Sequence, residues 1–324
     1  MRKNIGFIWF FYIWRFMLFI SRNHWFMLWV ALEINTAIFV CIIYLEKRSK
    51  QIDAVLIYFL VQRLRSLVLI FSLFNIETQA IIQRREPKIF IMTALLLKIA
   101  LAPLHSWFIF VVKICKNAPL YLILSLQKMI PFLIIISLKP KLLIIMIFFI
   151  LFSTFWSPLI NFTQNNIKNI LALSSISHGR WMLFSTLTNE PNWIFYFSTY
   201  SFLVIISTKL LFNTISQNNL KKNRNQIKLT LLRLLALGGL PPLLGFFPKI
   251  LVLTEALKLE IILVIFFLLL GSASDIYVYV RLNHLALLNK KRNILWLKTE
   301  KIKLITPLFL ISSRIPAMWF FSQI

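Results

Sequence analysis

Four charged residues stand where the surrounding sequence offers them no water: Glu33 in WVALEINTAIF, Lys98 in LLLKIALAP, Lys128 in LSLQKMIPFL and Lys249 in LGFFPKILVL. Each lies well inside an apolar run, not at its end. A charge near the centre of a bilayer costs at least ~2.5–3.5 kcal/mol on insertion scales, so four of them ask for a reason. One mid-span lysine can snorkel, its long stem carrying the ammonium to the interface. Three lysines and a glutamate together are poorly served by that explanation. Desolvation disfavours the charged form of a buried lysine and a nearby carboxylate restores it. A Glu–Lys pair in such a place is a proton-affinity switch, and one carboxylate with several lysines can form a proton relay.

Two histidines extend the set. His105 follows Lys98 by seven residues, two helical turns, and would share its face if the helix continued. Pro103 stands between them and removes a backbone donor, which predicts a break. His178, in LALSSISHGRWML, has the hydroxyls of Ser174, Ser175 and Ser177 beside it, able to hold a water chain. An imidazole titrates near neutrality and can pass protons; for each of the two, a satisfied core histidine is an equal reading. His24 and His284 lie near span ends and read as interfacial. The stretch LGGLPPLLGFFPK, Leu237 to Lys249, holds three of the chain's six glycines and three of its twelve prolines. Unwound backbone at membrane depth survives only when buried in protein or lining a wet cavity, and it marks ion sites in transporters. A plain kink between packed helices is the alternative. Lys98 with Pro103, and Lys249 with Pro248, suggest two related halves, each with a broken helix carrying a lysine, although no clear sequence repeat accompanies them.

The elements that must position these residues are membrane helices. The 324 residues are 59% hydrophobic and 14% charged, with a mean hydropathy of +0.80, far from a soluble average. A spanning helix needs roughly 20 apolar residues. Spans of that kind fall near 5–20, 25–45, 53–75, 89–112, 119–138, 141–160, 167–188, 193–215, 230–252, 256–282 and 303–321. The expected fold is an all-α polytopic membrane protein of about 10–11 helices, organised as a single transmembrane domain over residues 1–324. Its polar links, such as 46–51, 83–88, 217–228 and 288–293, are too short for a second domain. There is no glycine loop of the nucleotide-binding kind. Cys41 and Cys115 are too few and too far apart for an iron–sulfur site or a metal motif. The formal net charge of +26 falls mostly in the links, as expected of loops that retain positive charge and meet anionic phospholipid headgroups. It does not indicate nucleic acid. The aromatic start, MRKNIGFIWFFYIWRF, lacks a cleavage site and reads as a retained first helix.

The motifs NHWFMLWVALEIN, YFLVQ, LLLKIALAPLHSWF, LQKMIP, LALSSISH and LGGLPPLLGFFPK, in this order between roughly residues 22 and 283, resemble the subunit 2 family of mitochondrial NADH:ubiquinone oxidoreductase, respiratory complex I. The last motif is the most specific. The resemblance implies antiporter-like inverted repeats with two broken helices and a place in the membrane arm among other complex I subunits. It also implies the mitochondrial inner membrane as location and a share in proton translocation coupled to electron transfer from NADH to ubiquinone. By resemblance, Glu33 is the carboxylate of the first half-channel and Lys98 its paired lysine; Lys128 is the central lysine and Lys249 that of the second broken helix. No cofactor is expected on this chain; NADH, FMN, iron–sulfur clusters and ubiquinone are expected in partner subunits. A stand-alone cation/proton antiporter and a non-pumping structural subunit are the alternatives. The chain departs from the family at Arg22, Arg63, Arg65 and Arg180, where a guanidinium inside lipid would be costly. Two explanations stay open here: the arginines meet partners or water, or they are serines whose AGA or AGG codons were read with the standard code.

Overall fold

The computed structural model describes residues 25–45, 49–78, 86–138, 143–164, 166–188, 190–216, 232–258 and 262–291. The expected spans at 5–20 and 303–321, together with Arg22, His24 and the side chain of His284, lie outside them. The described residues form helices only. In chain order these are α1 (Trp25–Tyr44), α2 (Ser49–Thr78), α3 (Glu86–Ile99), α4 (Ser106–Ile114), α5 (Asn117–Leu124), α6 (Leu126–Ser137) and α7 (Leu143–Thr163). They continue with α8 (Ile167–Leu187), α9 (Glu190–Ser216), a short helical stretch at 232–238, α10 (Phe246–Lys258) and α11 (Ile262–Lys291). Five helical stretches among the described residues are long and apolar enough to cross a bilayer: Phe26–Tyr44, Gln51–Asn75, Ala118–Ser137, Leu143–Thr163 and Ile262–Leu282. Large apolar side chains such as Leu60, Leu64 and Phe71 on α2, Ile144 on α7, and Ile262 and Phe266 on α11 stand exposed. In water that surface would be unfavourable, whereas lipid accepts it at no cost.

Helix α8 is the hub. It packs against α4, α6, α7, α9, α10 and α11, and every residue from Asn169 to Thr186 is buried. A helix enclosed on all sides can carry polar groups without showing them to lipid, and α8 carries Ser174, Ser175, Ser177, His178 and Arg180. Gly179 lets a neighbour come close, since a Cβ there would stand 3.1 Å from Leu101 Cδ2.

Three spans are interrupted. The expected span 89–112 ends its first half at Ile99 and resumes at Ser106. The last turn of α3 closes with the Leu101 N–H on the Leu96 carbonyl (3.3 Å) and the Ala100 N–H on the Leu97 carbonyl (3.2 Å), a Schellman arrangement. Ala100 sits at its left-handed position with φ 64°. Glycine is the usual occupant, and an L-residue there costs roughly 1–2 kcal/mol. The second break, expected within 230–252, runs from Gly239 (φ +78°) to Gly245. Pro241 and Pro242 can donate no hydrogen bond there. The third, at Ser125, divides the expected span 119–138 into α5 and α6; Ser125 has φ −121° and ψ −77° and donates its hydroxyl to the Tyr121 carbonyl at 2.8 Å. No glycine or proline marks it, which is why periodicity reads straight through.

Gly245 has the least room of any glycine among the described residues. A Cβ would fall 2.0 Å from the carbonyl oxygen of Ala236, on the far side of the break, so the two arms must separate to admit it. Gly245→Ala is therefore expected to cost more than the ~1–3 kcal/mol of ordinary overpacking and to lower the amount of folded chain in the membrane. Native gel electrophoresis of solubilised membranes measures it.

Candidate functional site

Each singled-out lysine lies beside one of the three interruptions. Lys98 is the second-last residue of α3. Lys128 is the third residue of α6, with its backbone N–H on the Ser125 carbonyl at 2.9 Å. Lys249 lies in the first turn of α10. All three are buried. Each is seated on a backbone carbonyl of another segment, two of them within intact helices and one at a helix end. Lys98 Nζ donates to the Leu32 carbonyl at 3.2 Å, and Lys249 Nζ to the Gly238 carbonyl at 2.7 Å. Lys128 Nζ donates to the carbonyl (2.9 Å) and hydroxyl (3.3 Å) of Ser175 on α8, and stands 5.0 Å from the Phe108 ring centre. An amine can hold such a bond as ammonium or as neutral amine, because it is the donor in both states. Proton loss therefore leaves the seat intact.

His178 joins two of these lysines. Its Nε2 is 3.0 Å from the Leu237 carbonyl and its Nδ1 is 3.0 Å from the Tyr196 hydroxyl. A carbonyl only accepts, so Nε2 carries a hydrogen and, in the neutral ring, Nδ1 accepts from Tyr196. A second proton can enter at Nδ1 if the tyrosine hydroxyl turns to accept it. Leu237 and Gly238 are adjacent, so His178 and Lys249 hang on consecutive carbonyls. Three residues back along α8, Ser175 holds Lys128. The Tyr200 ring fills the same side, 4.9 Å from the His178 ring, with its hydroxyl on the Leu124 carbonyl at 3.1 Å.

Towards the first half the polar links are longer. Gln127, beside Lys128, lies 3.5 Å from both the Tyr58 hydroxyl and, through its amide, the Asn35 carbonyl. Asn35 is two residues beyond Glu33 on α1. Glu33 itself accepts from Arg65 at 2.9 Å and Arg63 at 3.4 Å. Arg65 has no exposed side-chain surface, while Arg63 is 55% exposed. His105 does not share a face with Lys98: α3 has ended, and His105 stands at the N-terminus of α4 with Nδ1 3.2 Å from the Pro103 carbonyl. It lines a cleft of about 680 Å³ between α4, α7 and the start of α8 that includes Lys113, Phe152, Trp156 and Asn169.

Several participants escape a reading of the sequence. Gln127, Tyr58, Tyr196 and Tyr200 look like ordinary residues of apolar spans, and only packing brings them to charged neighbours. Asp275 could have been found, since an aspartate within FFLLLGSASDIYVYV carries the same insertion cost as Glu33. It accepts from Arg180 Nη2 at 2.9 Å, and both are buried. Arg65 and Arg180 thus each have a carboxylate beside them, which offsets part of the cost of burying the guanidinium.

The family model described as NADH:quinone oxidoreductase/Mrp antiporter, transmembrane, matches residues 22–273. NADH-ubiquinone oxidoreductase chain 2 of Anopheles gambiae is 33% identical over 294 residues, covering 87% of this chain and 85% of that protein. The chain 2 of Symphalangus syndactylus is 31% identical over 280 residues, covering 81% and 79%. A chain of respiratory complex I from Thermus thermophilus, solved with bound aureothin, shares the fold with a TM-score of 0.68 at 23% identity, over 92% of this chain and 72% of that one.

Two tests follow. The codons at positions 65 and 180 are expected to specify arginine in the genetic code of the source organelle, because both residues hold a carboxylate; sequencing the gene and its tRNAs decides it. Glu33→Gln should leave Arg65 buried without a counter-charge and destabilise the folded chain by about 3–5 kcal/mol. The double change Glu33→Gln with Arg65→Gln should recover most of that, read as assembled protein on native gels.

Proposed function

Since the chain belongs to the NADH-ubiquinone oxidoreductase chain 2 family, we propose that its buried row of charges carries protons within the membrane arm of complex I. The protein is a multi-pass subunit of the mitochondrial inner membrane and part of a proton-translocating NADH:ubiquinone oxidoreductase. In this reading residues 1–324 form one antiporter-like domain with no redox centre. NADH, FMN, iron–sulfur clusters and ubiquinone belong to partner subunits, and phospholipids cover the outer helices.

The observation that carries the proposal is the continuity from Lys128 through Ser175 and His178 to the paired carbonyls of Leu237 and Gly238, and so to Lys249. A proton leaving Lys128 has a ring nitrogen one helical turn away along α8 and a second amine beyond it. Glu33 and Lys98 form the other end, with Gln127, Tyr58 and Asn35 between. His105 meets the open cleft and serves as the entry or exit carrier. Redox energy from the partner subunits moves the protons by changing which seat each cation occupies, since seat and protonation state are coupled in a low dielectric.

Lys98→Met and Lys249→Met preserve much of the side-chain volume while removing the amine. Each is expected to leave assembly near normal and to lower proton pumping per assembled complex about ten-fold, or about 1.4 kcal/mol in barrier. Pumping is read in sealed vesicles driven by NADH, with assembly scored on native gels. Lost assembly with normal pumping in the remaining complex would mean that the lysines only pin helices.

A further inference from the structure

The mid-membrane carboxylate of α11 has no place in the relay described above, yet its surroundings match those of Glu33. Asp275 is 4% exposed, in the middle of a helix otherwise apolar for most of its length. Its Oδ2 accepts from Arg180 Nη2 at 2.9 Å, and its Oδ1 accepts no hydrogen bond. Arg180 is held from behind, with Nη1 on the Ser157 hydroxyl at 2.9 Å and near the Ser153 carbonyl at 3.4 Å. Gly271, one turn before Asp275, makes the approach feasible: a Cβ there would lie 2.7 Å from Arg180 Nη2. The guanidinium is therefore held on two sides, and the second carboxylate oxygen has no close donor, with the Ser177 hydroxyl as its other polar neighbour.

A second cation lies close by. Lys249 Nζ rests on the Gly238 carbonyl, and Gly238 presses on the turn of α11 that follows Asp275. A Cβ on Gly238 would stand 3.0 Å from Tyr279 and 3.4 Å from Ile276. Asp275 interacts electrostatically with Arg180 and with Lys249, and Ser177 on α8 is its nearby hydroxyl. One carboxylate thus faces one cation that never loses its proton and one that can. The first half holds the same kinds of group: Glu33 on a buried arginine, next to the carbonyl that seats Lys98.

We propose that Asp275 is the counter-charge of Lys249, shared between the fixed guanidinium of Arg180 and the ammonium when it is present. This rests on Lys249 being a proton carrier. A proton arriving at Lys249 makes the cluster net positive and draws Oδ1 of Asp275 towards the ammonium. Its departure returns the carboxylate to Arg180 alone. Asp275 positions the charge without passing the proton. The pair gives the second half what Arg65 and Glu33 give the first.

The test uses inner membranes containing the whole complex, with NADH-driven proton pumping measured per assembled complex. Asp275→Asn alone strands Arg180, so the decisive variant is Arg180→Gln with Asp275→Asn, which removes both charges and leaves no orphan ion. If the proposal holds, the double variant assembles and pumps about ten-fold more slowly. Normal pumping in the double variant, or failure of the double variant to assemble, makes the pair a structural strut and overturns the proposal. Lys249→Met, run in parallel, separates the two ideas. Normal pumping in Lys249→Met removes the relay itself; impaired pumping there with a normal double variant removes only the role of Asp275.

Discussion

An ion in a medium that cannot solvate it must bring its own solvent, and that constraint organises this chain. The three buried lysines are each solvated by a backbone carbonyl, and the arginines at positions 65 and 180 by a carboxylate. A carbonyl oxygen has two lone pairs, so Leu32 and Ser175 can accept from Lys98 and Lys128 from within intact helices. The lysines themselves sit beside the interruptions near residues 100, 125 and 240, and at the last of these Gly238 offers Lys249 a carbonyl at the helix end. The division between the cations follows from their chemistry. A lysine on a carbonyl can lose its proton without breaking an ion pair. An arginine never loses it, and Arg65 and Arg180 each hold a permanent anion.

Helix α8 turns these local seats into a connected site. Because six other helices surround it, it carries three serines, a histidine and an arginine within seven residues, Ser174 to Arg180, without contact with lipid. Ser175 holds Lys128, His178 reaches the carbonyl beside the one that holds Lys249, and Arg180 reaches α11. The same enclosure explains why the apolar surface lies elsewhere, on the outer faces of α2, α7 and α11.

Much of this was legible beforehand. The five long apolar helical stretches follow from their length, and the breaks at 100–105 and 239–245 from Pro103 and from the glycines and prolines of LGGLPPLLGFFPK. Glu33, Lys98, Lys128 and Lys249 were visible through their cost in lipid. Less legible were the break at Ser125, which has no breaker residue, and the end of α3 at Ala100, where alanine takes a conformation usually left to glycine. His105 was expected on the face of Lys98 if the helix continued, and the break sends it to the cleft beside α4 and α7 instead.

The sequence by itself determined that this is a multi-pass membrane protein with charges in its interior, because insertion cost and span length depend on residue type and run length alone. Only the tertiary structure decided which group each charge faces: Arg65 on Glu33, Lys98 on the carbonyl before it, Asp275 on Arg180. Those partners lie between 32 and 95 positions away along the chain in the two ion pairs. Contacts over such distances are set by how helices pack around α8, and electrostatic interaction depends on separation in space, which no local pattern of residues encodes.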